Sequence, residues 1–369
     1  MFKFRLHKDS IAIDSTAIAF LSENLLLTSN LDKGTLDVYY VPPLHLSVEG
    51  KKYPTVPKVC SFHLPGLNQN MLFEEISFRA SPNFFSGHPE VAPLEGTYRE
   101  SLADPTKAII VVTMIVSGDH ANTQAYDDVG FQMVVHRQGL LDNLPSESLQ
   151  SAMASAAASV SHNKDTSGRG SRTKSHAAKK IPWSTWGPAT TRWFNLDLEH
   201  GGILPCFTYG QRFAQPCRTD VLSEDEDPNV RRNDAVIGHL YDFNPWTSKI
   251  LKRHSAGLYI PPGLGFRCHN LTPDQYTVVR PETVHPSHTK SRNQAPTPSE
   301  AKENQFATSG AFVATIVGRL PYVEFKVIGH PNVHELIIDD SRVIGLKVNL
   351  IGPSPYWCLR LLTMTSSDL

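Results

Sequence analysis

An all-β fold is what three features of this sequence predict. Its expected form is a partial or open β-propeller-like array of short antiparallel strands (WD-repeat-like), interrupted by a disordered insertion. Short runs of alternating apolar and polar residues recur along the chain, as half-buried strands require. Turn chemistry separates them, and the 27 prolines exceed the usual share and oppose long helices. One long polar, low-complexity stretch breaks the pattern.

The first β-rich region is expected over residues 1–145. Leu25–Thr28 and Thr35–Val41 read as strands joined by Leu31-Asp32-Lys33-Gly34, with Gly34 free to take a positive φ. A further run, Val59–Leu64, completes a meander that spans about Thr16 to Pro65. Phe73–Ala80 alternates as a strand, with Glu74, Ile76 and Phe78 on one face. Lys107–Val116 is almost continuously apolar, which suits a strand covered on both faces, and Val129–His136 is its expected hairpin partner. Gly139–Leu144 suits a short helical turn before Pro145.

Residues 146–180 form the expected disordered insertion. Ser151–Val160 is Ala/Ser-rich and transiently helical at most. Lys164, Arg169, Arg172, Lys174, Lys179 and Lys180 then face Asp165 alone, the composition of a solvated segment or a basic arm for nucleic acid.

A second β-rich region is expected over residues 181–350, followed by a C-terminal strand or tail over 351–369. Trp183, Trp186 and Trp193 crowd its start. Gly187-Pro188 marks a turn, and Thr190–Phe194 reads as a strand with Thr191 and Trp193 on one face and Arg192 and Phe194 on the other. Ile203–Phe213 reads as one strand, Val221–Asp227 as an acidic loop, and Ala235–Tyr241 as a strand stopped by Asp242-Phe243-Asn244-Pro245. Ser255–Glu303 reads mostly as loop. Arg319–Val327, Glu335–Ile338 and Arg342–Val348 close the pattern, the last two joined by a turn at Asp339-Asp340-Ser341.

Charge and cysteine content bound the function. Hydrophobic residues make up 40% and charged residues 19%, and a formal net charge of -1 gives no global attraction to nucleic acid or an anionic membrane. Five scattered cysteines with no C-x-x-C pair fit a reducing compartment, and no signal-type or membrane-spanning run occurs, so cytoplasm or nucleus is expected. Asn270-Leu271-Thr272 matches the glycosylation triplet but carries little weight without a secretion signal. No phosphate loop, H-E-x-x-H pair or G-x-S-x-G elbow occurs. His285-Pro286-Ser287-His288 and Cys268-His269 lack the paired clusters of a zinc site. Glu74-Glu75 and Asp339-Asp340 are strand neighbours that point to opposite faces. No catalytic residue, cofactor or metal is therefore expected.

The most specific polar set is Arg192, Arg212 and Asp242, each among aromatic residues. A buried arginine needs a partner, so Asp242 is expected to pair with Arg192 or Arg212 and hold strands in register. The alternative reading makes Arg192 and Trp186 the lining of a ligand-binding surface.

Four segments carry a family resemblance. They are W-G-P-x-x-T-R-W-F (Trp186, Gly187, Pro188, Thr191, Arg192, Trp193, Phe194), G-Q-R (Gly210 to Arg212), D-F-N-P (Asp242, Phe243, Asn244, Pro245) and R-L-P-Y-V (Arg319, Leu320, Pro321, Tyr322, Val323). With AFLSENLLL (Ala19–Leu27), TLDVY (Thr35–Tyr39) and DDSRVIGLK (Asp339–Lys347), the chain resembles the uncharacterised F-box proteins of basidiomycete, mushroom-type fungi over about Ala19 to Lys347. The resemblance implies a β-rich, propeller-like domain that chooses a substrate, downstream of an F-box that docks a ubiquitin-ligase scaffold. No F-box-like run of helices is found here, so scaffold components are expected as partners only where an F-box is supplied.

The expected function is a non-enzymatic protein-interaction domain whose protein partner the sequence does not name, with no membrane partner. The alternatives are a hydrolase-like enzyme with a central-channel site and a nucleic-acid binder acting through the basic 162–180 arm. An open ring would leave strand edges unpaired, and poor solubility as an isolated monomer is expected from that.

Overall fold

The computed structural model describes residues 5–6, 18–42, 55–80, 107–118, 128–161, 178–196, 207–216, 235–245, 276–279, 305–306, 311–314, 316–329, 335–338, 343–350 and 357–364, with Thr247 and Leu251. In the first part, β1 is Arg5–Leu6, β2 Ile18–Ser22, β3 Leu25–Asn30, β4 Thr35–Tyr40, β5 Thr55–Val56 and β6 Lys58–His63. Then come β7 Met71–Ala80, β8 Ile109–Gly118, β9 Val129–His136, α1 Arg137–Asp142 and α2 Ser146–Ser161. The middle holds β10 Lys179–Ile181, α3 Trp183–Thr190, β11 Thr191–Leu196, β12 Phe207–Tyr209, β13 Arg212–Pro216, β14 Ala235–Asp242 and β15 Tyr276–Val279. The last elements are β16 Gln305–Phe306, β17 Ile316–Val317, β18 Tyr322–Gly329, β19 Glu335–Ile338, β20 Val343–Leu350 and β21 Trp357–Met364.

The strands build four main sheets in chain order. The first is β10-β6-β4-β3-β2, the second β11-β9-β8-β7, the third β12-β13-β14-β18-β15 and the fourth β19-β20-β21. Within each, successive strands pair antiparallel as a meander; the exceptions are β10, which adds in parallel beside β6, and β15, which adds at the third sheet's edge. Small pairs, β1 with β5 and β16 with β17, stand apart.

Alternation along the strands explains how the sheets stack. Leu27, Leu36, Val38 and Phe62 of the first sheet meet Ile76, Val112, Met114 and Phe131 of the second in the largest apolar layer. The other face of the second sheet presents Ile109, Val111, Val134 and Phe194 to Phe213, Tyr241 and Tyr322 of the third. Leu240, Val323 and Phe325 of the third sheet then meet Leu336, Ile338 and Val343 of the fourth. The opening strands follow the same order, β2 against β7, β7 against β12, and β12 against β19.

The expected hairpins are present. β3 pairs with β4 through a turn in which Gly34 has φ 56°, β8 pairs with β9, and β19 pairs with β20. Three expectations change, and a fourth segment gains a detail. A register shift between Phe73 and Glu75 rotates β7, so Phe73 joins Ile76 and Phe78 in the core while Glu74 is exposed. Ile203–Phe213 is not one strand, because Gly210, at φ 56°, and Gln211 turn the chain between β12 and β13. Gly187-Pro188 lies inside α3 rather than at a turn. A short strand, β15, occurs within 255–303.

The largest difference is the insertion expected over 146–180. Its first part is α2, a 16-residue helix, and its last residues form β10; 162–177 lie outside the described residues. Composition alone concealed a stripe at helical spacing, Leu149, Ala152 and Ala156, which joins the largest apolar cluster where the helix packs against β4, β5 and β6. Alanine there lets the helix approach β4 and β6 closely. The acidic loop at 221–227 and the candidate metal residues Cys268, His269, His285 and His288 also lie outside the described residues. Among the described residues no helix is long and apolar enough to cross a membrane.

Ala156, at 2% exposure, gives a direct check on α2. Ala156→Leu is expected to overpack that cluster and cost about 1–3 kcal/mol by denaturant unfolding. An unchanged midpoint would show the helix to be a solvated insertion after all.

Candidate functional site

The motif residues assemble at the join between the second and third sheets, and α3 begins the assembly. Trp186 is fully buried, with its Nε1 donating to the carbonyl of His63 at 3.0 Å and its ring edge-on to Phe62. The Trp183 indole lies against Gly187 so closely that a Cβ there would sit 2.3 Å from the ring. The helix ends two residues after Pro188, and its last carbonyls are met by side chains and by a distant amide. Thr190 Oγ1 donates to the carbonyl of Trp186, Thr191 Oγ1 to that of Gly187 at 2.7 Å, and the Arg319 amide to that of Pro188 at 2.8 Å.

From Thr191 the chain becomes β11, and its alternation falls as expected. Trp193 enters the first apolar layer, edge-on to Trp183 and Phe312, whereas Phe194 enters the second, against Phe213, Tyr241 and Tyr322. Trp193 Nε1 has no hydrogen-bond partner among the described residues, unlike Trp186 Nε1. The outer edge of β11 is closed by the Arg319–Tyr322 segment. Leu320 donates its amide to the carbonyl of Thr191 at 3.0 Å, and Arg192 Nε donates to the carbonyl of Leu320 at 2.9 Å. The guanidinium also stands 5.3 Å from the centre of the Tyr322 ring. The two motifs, about 130 residues apart, are therefore two sides of one clamp. Pro321 is half-buried between Leu320 and Tyr322.

The second pair of motifs forms a separate lock. Arg212 Nε and Asp242 Oδ2 are 2.9 Å apart at directly paired positions of β13 and β14. Asp242 also accepts from the Asn244 amide at 2.8 Å and from Thr247 Oγ1 at 2.9 Å, so its buried carboxylate is well supplied with donors. The Phe243 amide donates to the carbonyl of Gln211, and the carbonyl of Gly210 accepts from Ile109 on β8. Pro245 is exposed where the chain becomes helical after β14. Asp242 thus pairs with Arg212 and not with Arg192.

The alternative in which Trp186 and Arg192 line a ligand surface does not hold, because they are 0% and 4% exposed. Burial lowers the Arg192 guanidinium below its usual range, with Tyr322 opposing the shift. Burial, followed by Glu324, raises the Tyr322 phenol, which Arg192 partly counters.

A second buried carboxylate escaped the sequence reading. Asp37, in the middle of β4, is fully buried and accepts from Thr35 Oγ1 at 2.9 Å and Lys58 Nζ at 2.6 Å. Its signal was an acid in the middle of the strand-like TLDVY segment. Beside it, burial and then Asp37 push the Cys60 thiol up to about 12, the opposite of what a nucleophile needs. Arg137, at the start of α1, is pulled down to about 10 by burial. Among the described residues no group of three or more His, Cys, Asp or Glu is placed to hold a metal ion.

Two outcomes follow from this geometry. Asp242→Ala strands a buried guanidinium and is expected to cost about 3–5 kcal/mol in unfolding experiments, with Asp242→Ala/Arg212→Met milder than the single change. An additive double variant would remove the lock. Burial lowers the His136 imidazole below its ordinary 6.5, and the carbonyls of Lys107 and Phe243 oppose the shift. A depressed folded pKa gives stability that is present above pH 6.5 and lost as pH falls through the folded value. The denaturant midpoint should therefore drop from about pH 7.5 to about pH 5, with a smaller slope in His136→Gln.

No protein-family model matches the chain, and neither the curated proteins nor the solved structures compared with it give a match.

Proposed function

We propose that this chain is a non-enzymatic protein-interaction domain built as an open, propeller-like array, and that it serves a fungal F-box-type protein by choosing the substrate. The observation that carries the reading is the order of the sheets. Four meanders follow one another in sequence, stack face to face through apolar layers, and bring their opening strands β2, β7, β12 and β19 side by side. Such stacking gathers the connecting loops at common rims of a rigid body, the arrangement that suits recognition of another protein.

The use made of the polar groups supports the same reading. Arg192, Arg212, Asp242 and Asp37 spend their hydrogen-bonding capacity inside the fold. A hydrolase of the expected kind would instead turn a pair of titratable groups toward a common open space. The resemblance of the W-G-P-x-x-T-R-W-F and D-F-N-P segments to basidiomycete F-box proteins supplies the lineage, and with it the ubiquitin-ligase context.

Proximity labelling tests the proposal. The full chain, alone and fused to an F-box, is expressed in cells beside an inactive-ligase control. Both forms should mark the same proteins, and the fusion should lower their abundance until the proteasome is inhibited. A labelled set no different from the control would sink the interaction reading. Shared neighbours whose abundance the fusion leaves unchanged would remove the substrate-choosing role.

A further inference from the structure

One row of the second sheet is chemically out of place. Ser77, Thr113, Gln132 and Phe194 stand opposite one another across β7, β8, β9 and β11, and the first three are polar. In the next row on the same face the two central positions are apolar, Val111 opposite Val134 between Arg79 and Arg192, and both valines pack toward Phe213 and Tyr241 of the third sheet. Ser77, Thr113 and Gln132 are nonetheless buried, and Gln132 is 0% exposed.

Alternation directs Gln132 toward the third sheet, because Phe131 and Met133 on either side of it both belong to the first apolar layer. Both ends of its amide, Oε1 and Nε2, lack a hydrogen-bond partner among the described residues. A wholly buried amide left unmet is rare in folded proteins, because its hydration is lost with nothing in return. The wall across from it changes character at the same level. Phe194, beside Gln132, touches Tyr241 and Tyr322, and two residues from Tyr241 along β14 stands His239, 2.8 Å from Glu324. Apolar rings therefore border the amide on one side and a polar pair continues on the other.

We propose that Gln132 is the anchor of a bound water site between the second and third sheets. The water accepts from Nε2 or donates to Oε1, and the Thr113 hydroxyl is its second partner. Thr113 and Gln132 are direct cross-strand partners, and such pairs hold their Cβ atoms about 4.5–5.5 Å apart, a span that one bridging water closes. An internal water commonly makes about three hydrogen bonds, so an amide and a hydroxyl on adjacent strands supply most of what it needs. The site ties β8 to β9 through their side chains, at the level where the apolar packing of the two sheets gives way to polar groups.

A crystal structure of the full chain at high resolution, with thermal unfolding of two variants, tests the site. Ordered water within hydrogen-bond distance of the Gln132 amide is expected. Gln132→Met keeps the volume and removes both polar atoms; it should lose that water and shift the unfolding equilibrium about tenfold toward the unfolded state. Thr113→Val, which keeps its shape, should act in the same direction and keeps the test open if the first variant does not fold. A dry amide, an amide bonded directly to another protein group, or a Gln132→Met protein more stable than the parent would each overturn the proposal.

Discussion

Burial of the second sheet on both faces is the constraint from which most of the structure follows. Along β8, Ile110, Val112 and Met114 go to one apolar layer while Ile109 and Val111 go to the other. β11 repeats this with Trp193 and Phe194. A strand apolar on both sides is stable only between two covering layers. The first and third sheets are therefore needed together, and the polar motifs gather where the layers meet. β11 lies at the edge of that sheet, so its outward backbone groups are buried without a strand partner on that side. The Arg319–Tyr322 segment meets them, with Leu320 donating to Thr191 and Arg192 returning a side-chain bond.

The two ion pairs built on buried carboxylates share a design. Asp37 lies on the third strand of the first meander and Asp242 on the third strand of the third, each with its cation on a neighbouring strand. Removing charges from water costs more than their attraction readily returns, so such pairs are weak sources of stability. What they penalise is misregistration. A slip of one residue between β13 and β14 would send Arg212 and Asp242 to opposite faces and leave both charges buried alone.

Much of this was legible in the sequence, and the parts that were not have physical reasons. Alternation located β4 and β14 because strand period is independent of what lies beyond the sheet, and a continuous apolar run located β8, with β9 as its partner. Alternation also set the faces of β11 correctly. It failed at β7, where a register shift after Phe73 is a local event that no period predicts. It failed at α3 because Gly187-Pro188 carries a strong local turn signal. The helix survives through tertiary contacts, namely the Trp183 indole over Gly187 and the Arg319 amide at the carbonyl of Pro188. It failed at α2 because alanine and serine are read for propensity, whereas this helix is held by where Ala152 and Ala156 pack. The Arg212–Asp242 pair was foreseeable from the cost of an unpaired buried charge. The sequence left two arginines in competition, and only the register decides between them.

The same reasoning bears on the ends of the stack. An open array suggests a first sheet whose outer face meets water, yet Thr28, Asp37 and Ser61, which share one row of that face, are 3%, 0% and 6% exposed. In the rows beside them, Leu26, Tyr39 and Val41 are buried with Val56 of β5. A fully buried carboxylate ion-paired with Lys58 is not what a solvated terminal face displays. The outer face of the first sheet is therefore covered over β3, β4 and β6, and exposure returns at its two edge strands, at Lys180 on β10 and on β2, where Ile18 and Phe20 are 37% and 42% exposed. Unpaired backbone and open apolar surface are separate hazards. At this end of the array, the second is confined to one short strand that already pairs with β3.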